Sequence, residues 1–188
     1  MNIEFFFDIA SPYSYLASTQ VDALAASTGV PVRWRPFLLG GVFKATANQP
    51  PAATRARAPW LLRDLQLWAE EYQVPFTFPA FFPVNSLVPM RALCALPESE
   101  IAPTAKGLFK AHWADSRDPS DLAVLTELVG ESLIASAASQ PAKDLLRANS
   151  EEAVARGAFG APTFFVGVDM FFGNDRLHFV EAAARKLA

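Results

Sequence analysis

Ser11 is followed by Pro12, and the pair comes four residues after a Phe-rich run ends. A serine before a proline commonly opens a helix: the hydroxyl caps it and the proline takes the first helical position. Such a terminus carries unpaired N–H groups and a partial positive charge, so it can hold an anion, to which the serine hydroxyl can donate. No histidine base lies near Ser11 in sequence, so its expected role is to stabilise an anion rather than to attack. Cys94 is the single cysteine, which excludes an intrachain disulfide and a Cys-x-x-Cys pair. It shares a stripe with Leu87 and Met90 and reads as a buried structural thiol. His112 and His178 are far apart in sequence, so no metal site is expected. His112 and Trp113 read as packing and surface residues.

These groups need a scaffold, and the composition says what kind. The chain has 188 residues, 52 % of them apolar, and a net charge of 16 − 19 = −3. That length and apolarity support a real core and exclude general disorder. The slight acidity argues against nucleic acid as a partner. No apolar run approaches the length of a membrane span. Glu4 and Asp8 interrupt the first apolar stretch and no basic leader precedes it, so a cytoplasmic protein is expected.

Ile3 to Phe7 reads as a buried strand, Pro12 to about Ser27 as a helix ended by Gly29, and Val30 to Pro36 as a second strand. Strand, helix and strand in this span form a parallel unit. Leu38 to Pro59 reads as a long irregular loop. Helices are expected over Trp60–Gln73, Ser86–Leu96, Pro103–Asp115, Ser120–Ser136 and from Ala142 or Asn149 to Arg156, with an irregular apolar loop over Phe76–Pro83. Trp60 and Trp68 read as core of this helical block. Thr163–Val166 and Met170–Phe172 form a hairpin around Gly167-Val168-Asp169. Asn174 or Asp175 is expected to cap a last helix carrying Leu177, Val180, Ala184 and Leu187 on one stripe. With the helical block removed, the order is that of thioredoxin. The expectation is therefore an α/β thioredoxin-like fold with a large inserted α-helical domain. Residues 1–59 and 142–188 would form the first domain and 60–141 the insertion.

Four segments carry a resemblance. F-D-I-A-S-P-Y-S-Y-L at Phe7–Leu16 stands where thioredoxin-like disulfide oxidoreductases have Cys-x-x-Cys, with Ser11 and Ser14 at both cysteine positions. G-A-P-T at Gly160–Thr163 resembles the cis-proline loop of that fold. N-Q-P-P at Asn48–Pro51 and F-F-G-N-D-R at Phe171–Arg176 complete the set. Together, in this order, they resemble the 2-hydroxychromene-2-carboxylate isomerases and the related kappa-class glutathione transferases. P-V-N-S at Pro83–Ser86 and R-D-P-S-D at Arg117–Asp121 look more like the isomerases.

The resemblance implies a glutathione cofactor, with Ser11 as the catalytic group that stabilises its thiolate. A thiol of pKa about 8.5 is roughly 3 % ionised at pH 7. Lowering it by about two units corresponds to roughly 2.7 kcal/mol and makes most of it thiolate. By the same resemblance, Ala161 and a cis Pro162 offer backbone to the cysteinyl part of glutathione, like an added strand. Asn48 lies near the cysteinyl–glycyl end. Arg57 meets the glycine carboxylate where relatives commonly have lysine. Asn174 and Asp175 meet the γ-glutamyl carboxylate and ammonium, and Arg176 reads as a surface cation. Asn85 and Phe82, with Phe81, are candidates for a small aromatic substrate. The implied activity interconverts 2-hydroxychromene-2-carboxylate and trans-o-hydroxybenzylidenepyruvate in naphthalene-type catabolism, and relatives suggest a homodimer. The alternatives are a kappa-like transferase and a non-catalytic thioredoxin-fold binding protein.

Overall fold

The structure is a computed structural model, and it describes residues 2–49 and 57–186. The expected contribution of Leu187 to the last helix and the prolines of the N-Q-P-P segment lie outside them. Strand β1 (Ile3–Phe7) pairs in parallel with β2 (Val32–Pro36) and antiparallel with β3 (Thr163–Val166), which pairs antiparallel with β4 (Asp169–Phe172). The sheet order is β2-β1-β3-β4, so both ends of the chain meet in one sheet. This is the thioredoxin-like arrangement, with a block of helices inserted between β2 and β3.

Both sheet faces are apolar, which is why β1 and β3 are almost continuous runs of hydrophobic residues. On one face Phe5 stacks on Phe164 at 4.8 Å and meets Trp34 edge-on at 5.0 Å; Phe7 lies 5.7 Å from Phe109 of the inserted block. On the other, Phe6 packs against Phe165 and Phe37, with Ala153 and Ala158 completing the cluster. Each such ring contributes about 1.5–3 kcal/mol by leaving water. An ion-pair network of Glu4, Arg35, Glu152 and Arg156 closes over the second face. The Arg156 guanidinium lies 3.8 Å above the Phe165 ring.

Several expected elements differ. The first helix is two: α1 (Pro12–Ser18) and α2 (Val21–Thr28), parted at Thr19 and Gln20 and ended by Gly29 at φ 70°. The expected long loop contains α3 (Leu39–Thr46). Two glycines near its start disfavour a helix, but its first N–H groups are capped from elsewhere: Asp8 accepts from Leu39 N at 2.8 Å and Ser150 Oγ from Leu38 N at 2.9 Å. Beyond α4 (Ala58–Glu71) and α5 (Leu87–Cys94), α6 spans Glu98–Trp113 with Pro103 inside it rather than at its start. Gly130, at φ 82°, splits the next expected helix into α7 (Leu122–Val129) and α8 (Glu131–Ala137). Helix α9 runs Gln140–Ala155 and α10 Leu177–Arg185. Trp60 is 64 % exposed and so is not core, whereas Trp68 is half-buried against Tyr72. His112 and Trp113 are both fully buried, so neither is a surface residue.

Candidate active site

Ser11 sits at the junction of β1 and α1, 3 % exposed. It is the N-cap of α1, in extended conformation, and its Oγ accepts from Ser14 N at 3.1 Å. The same hydroxyl donates to the carbonyl of Ala161 at 3.1 Å. The Ala161–Pro162 peptide is cis. A residue near the chain start and a loop 150 positions later are thus tied directly. Pro12 has no N–H and the Ser14 N–H is bound to Ser11 Oγ. Tyr13 N–H is therefore the one donor of the first turn with no acceptor among the described residues. The site offers an incoming anion the Tyr13 N–H, and the Ser11 hydroxyl only in exchange for its bond to Ala161 O. Ser14, at the second cysteine position, is fully buried and its Oγ has no partner.

Several hydrogen bonds hold the turn that presents Ser11. Trp113 Nε1 donates to Ile9 O at 2.8 Å, and Ser11 N to Asp8 O at 3.0 Å. The fully buried Asp8 carboxyl accepts from Ala10 N at 2.9 Å and from Leu39 N at 2.8 Å. The Ser86 side chain lies close enough to favour its charged form. Burial outweighs these donors and raises the Asp8 carboxyl above the ordinary carboxylate range. Asp8 is the part of this site that the sequence reading does not reach, since there it appears only as an interruption of the first apolar stretch. Its spacing to Ser11 was visible; the α3 terminus it caps was not.

The remaining candidates fall at three places. Asn48 follows α3 and donates from Nδ2 to Phe159 O at 2.9 Å, which anchors it to the cis-proline loop. Asn174 is buried in a 3-10 turn, Asn174–Arg176, that precedes α10. Its carbonyl accepts from the Tyr72 hydroxyl at 2.9 Å. Neither Asn174 nor Asp175 caps α10: Arg176 holds that position without a side-chain bond. Asp175 is part-exposed and paired with its neighbour Arg176, which is an exposed surface cation as expected. Arg57 is exposed where the described chain resumes before α4.

Phe82 is half-buried against Phe78 at 5.1 Å and Trp113 at 6.0 Å. Phe81 lies 5.7 Å from His112. Asn85 is exposed, and its Oδ1 accepts from Leu87 N at the start of α5. Trp113 therefore joins the aromatic loop to the Ser11 turn, and buried Ser86, next to Asn85, stands beside the Asp8 carboxyl. Tyr15 adds a third link, donating to Pro75 O at 2.5 Å. Cys94 stands apart, buried, its thiol pushed up to about 12 by burial.

The fold and this site define a thioredoxin-fold protein in which hydroxyls replace the redox thiols. Residues 2–185 match the DSBA-like thioredoxin domain, and the chain belongs to that family. Within it, the chain belongs with the 2-hydroxychromene-2-carboxylate isomerases: it is 33 % identical to that of Sphingobium xenophagum over 188 residues, 96 % of each chain. It is 29 % identical to human glutathione S-transferase kappa 1, covering 93 % of this chain and 87 % of the relative. A solved 2-hydroxychromene-2-carboxylate isomerase superposes with a TM-score of 0.88 at 31 % identity, over 100 % of this chain and 96 % of the other. These relatives are isomerases and transferases, so this is a family of enzymes.

Proposed function

We propose that this chain is a glutathione-dependent isomerase that interconverts 2-hydroxychromene-2-carboxylate and trans-o-hydroxybenzylidenepyruvate or a near analogue. The observation that carries it is the Ser11 hydroxyl, capping α1 while it donates to the Ala161 carbonyl of the cis-proline loop. The chemistry of the surrounding groups fits glutathione, which has a thiol, two carboxylates, an ammonium and two peptide units. Tyr13 N–H and Ser11 O–H suit the sulfur. The Ala161–Pro162 backbone suits the cysteinyl peptide. The Asp175–Arg176 pair matches the opposite charges of the γ-glutamyl end, and the Asn48 and Arg57 side chains suit the glycyl end. When bound, glutathione supplies a sulfur nucleophile that can add to a conjugated side chain and be returned unchanged.

The protein's own part follows from hydrogen-bond capacity. A serine hydroxyl has one proton. Ser11 spends it on Ala161 O, so it can donate to a thiolate only by releasing that carbonyl. An orphaned carbonyl would cost about 1–3 kcal/mol. Strand-like pairing removes this cost, because the cysteinyl N–H of the cofactor can take the released carbonyl. Ser11 thus exchanges one partner for another with no acceptor left bare. Helix α1 has only seven residues, so its electrostatic contribution is that of the first turn. Phe82 and Asn85 are assigned to the aromatic substrate and its polar edge.

The test is to incubate the protein with the chromene substrate and glutathione, following product absorbance and total free thiol together. An isomerase returns all the glutathione. Loss of thiol in step with substrate would establish the kappa-like transferase, and absence of either change would leave a binding protein.

A further inference from the structure

A groove of about 490 Å³ lies between α3, α5 and α9 and shares no lining residue with the Ser11 site. Its walls are Leu38, Gly41, Ala45, Leu87, Leu146 and Val154. Among the described residues the one hydroxyl lining it, on Ser150, is spent on Leu146 O and Leu38 N. The volume is that of a small-molecule site rather than a packing defect.

Charge is uneven along it. Arg91 and Lys143 line the groove and are half-buried, and neither has a carboxylate partner among the described residues. Arg147, beside them, is paired with Asp144 at 2.7 Å. The one acidic lining residue, Glu151, is eight positions beyond Lys143 on α9. At 1.5 Å per residue that is about 12 Å along the helix. Two unpaired cations, Arg91 and Lys143, thus stand among apolar walls, with Arg147 already neutralised by Asp144 and the one carboxylate, Glu151, set well along α9 from Lys143. Half-buried cations without counter-ions beside apolar walls favour one ligand class. An anionic head meets Arg91 and Lys143, and an apolar body lies along Leu146 toward Val154.

We propose that this groove is a second binding site, taking an apolar monocarboxylate with its carboxylate at Arg91 and Lys143. Charge complementarity selects that occupant over a neutral hydrocarbon, and Glu151 selects against a dicarboxylate of matching length.

The experiment titrates the full chain with 2-naphthoate and, in a second arm, decanoate, by calorimetry in saturating glutathione. The two arms separate aryl from alkyl sources. The expected result is saturable one-site binding by at least one of them. Replacing the probe by its uncharged amide, or introducing Arg91→Gln with Lys143→Gln, should weaken it at least about tenfold, or 1.4 kcal/mol. Gly41→Leu should abolish it. Gly41 lies within α3, and a Cβ there meets only Leu38 Cβ at 3.9 Å, so the backbone accepts a side chain at this position, which projects from a groove-lining residue. Circular dichroism and an unchanged glutathione affinity verify its fold. Three results would overturn the proposal: no saturable binding at millimolar probe, binding that the variants leave unchanged, or a shift in oligomeric state with Gly41→Leu, which would make the groove a contact between copies.

Discussion

Replacing Ser11 by alanine separates what the hydroxyl does for the fold from what it does for the bound thiol. Two bonds are lost: the cap to Ser14 N and the donor to Ala161 O, both 3.1 Å long. An N-cap contributes about 1 kcal/mol. A buried carbonyl left without a donor costs about 1–3 kcal/mol more. The free protein should lose roughly 2–4 kcal/mol, a fall in melting temperature of roughly 4–16 °C for a chain of this size. The functional effect is distinct. If Ser11 holds the bound thiol near pKa 6.5 against about 8.5 in solution, wild-type affinity rises with pH across that interval, by up to about 2.7 kcal/mol. In Ser11→Ala that rise should shrink. At low pH, where the thiol is neutral, the variant should bind as tightly as wild type or tighter, since Ala161 O already awaits a donor. Calorimetric titration across pH, with ultraviolet titration of the bound thiolate, measures both. S-methylglutathione, which cannot ionise at sulfur, is the control and should show no pH-dependent difference. Equal thiol pKa values in wild type and variant would remove Ser11 from the chemistry and leave it a cap.

Asp8→Asn addresses the buried carboxyl. Its folded pKa lies above the ordinary 3.8, so the stability tied to its proton is complete below that value and declines as pH rises through the folded one. The variant should lose this part of the slope of melting temperature against pH; identical slopes would refute the assignment. Asp175→Ala removes the carboxylate paired with Arg176 and should weaken glutathione binding by about 1–3 kcal/mol in calorimetry, with turnover at saturating glutathione little changed. Ser14→Ala should be neutral or stabilising by up to about 1 kcal/mol in urea unfolding, because its buried Oγ has no partner to lose; a loss of more than that would mean the hydroxyl is bonded in solution.

What could be read from the sequence followed locality. Ser11-Pro12, the Ala161-Pro162 loop and the strands β1 and β3 announce themselves within a few residues, because capping, proline geometry and apolar runs are local. Helix α3 could not be read: Gly40 and Gly41 argue against it, and its cap comes from Asp8 and Ser150, 31 and 112 residues away. The capping role expected of Asn174 or Asp175 fails because Gly173, at φ 100°, turns the chain into a 3-10 turn whose first carbonyl meets Tyr72. Trp60 reads as core by residue type alone, but Arg63 and Asp64 stand three and four positions on, so it falls beside the Leu61–Leu65–Ala69 stripe, on the solvent side of α4. The link from Trp113 to Ile9 spans 104 residues and leaves no trace in either segment.

The pair of serines is where sequence and chemistry meet most directly. A helix terminus able to depress a thiol pKa serves a protein thiol in the disulfide oxidoreductases of this fold; with oxygen at both positions, the same terminus can act only on sulfur brought from outside. Ser11→Cys reverses that. The new thiol would lie beside the Tyr13 N–H at the α1 terminus, and its pKa should fall below the ordinary 8.5, to about 6–7. With Ser14 in the second position and Cys94 buried, no resolving thiol is available. Its thiolate should therefore attack glutathione disulfide, form a protein–glutathione disulfide, release one glutathione, and stop there. Mass spectrometry would show the adduct on this residue alone. Cys94 gives an internal reference, since burial holds its thiol near about 12 and alkylation should pass it by until the chain unfolds. The pH dependence of alkylation at position 11 gives the pKa directly. A value at or above 8.5 would mean that this terminus does not stabilise a thiolate, and the isomerase and transferase readings would both lose their chemical basis at Ser11.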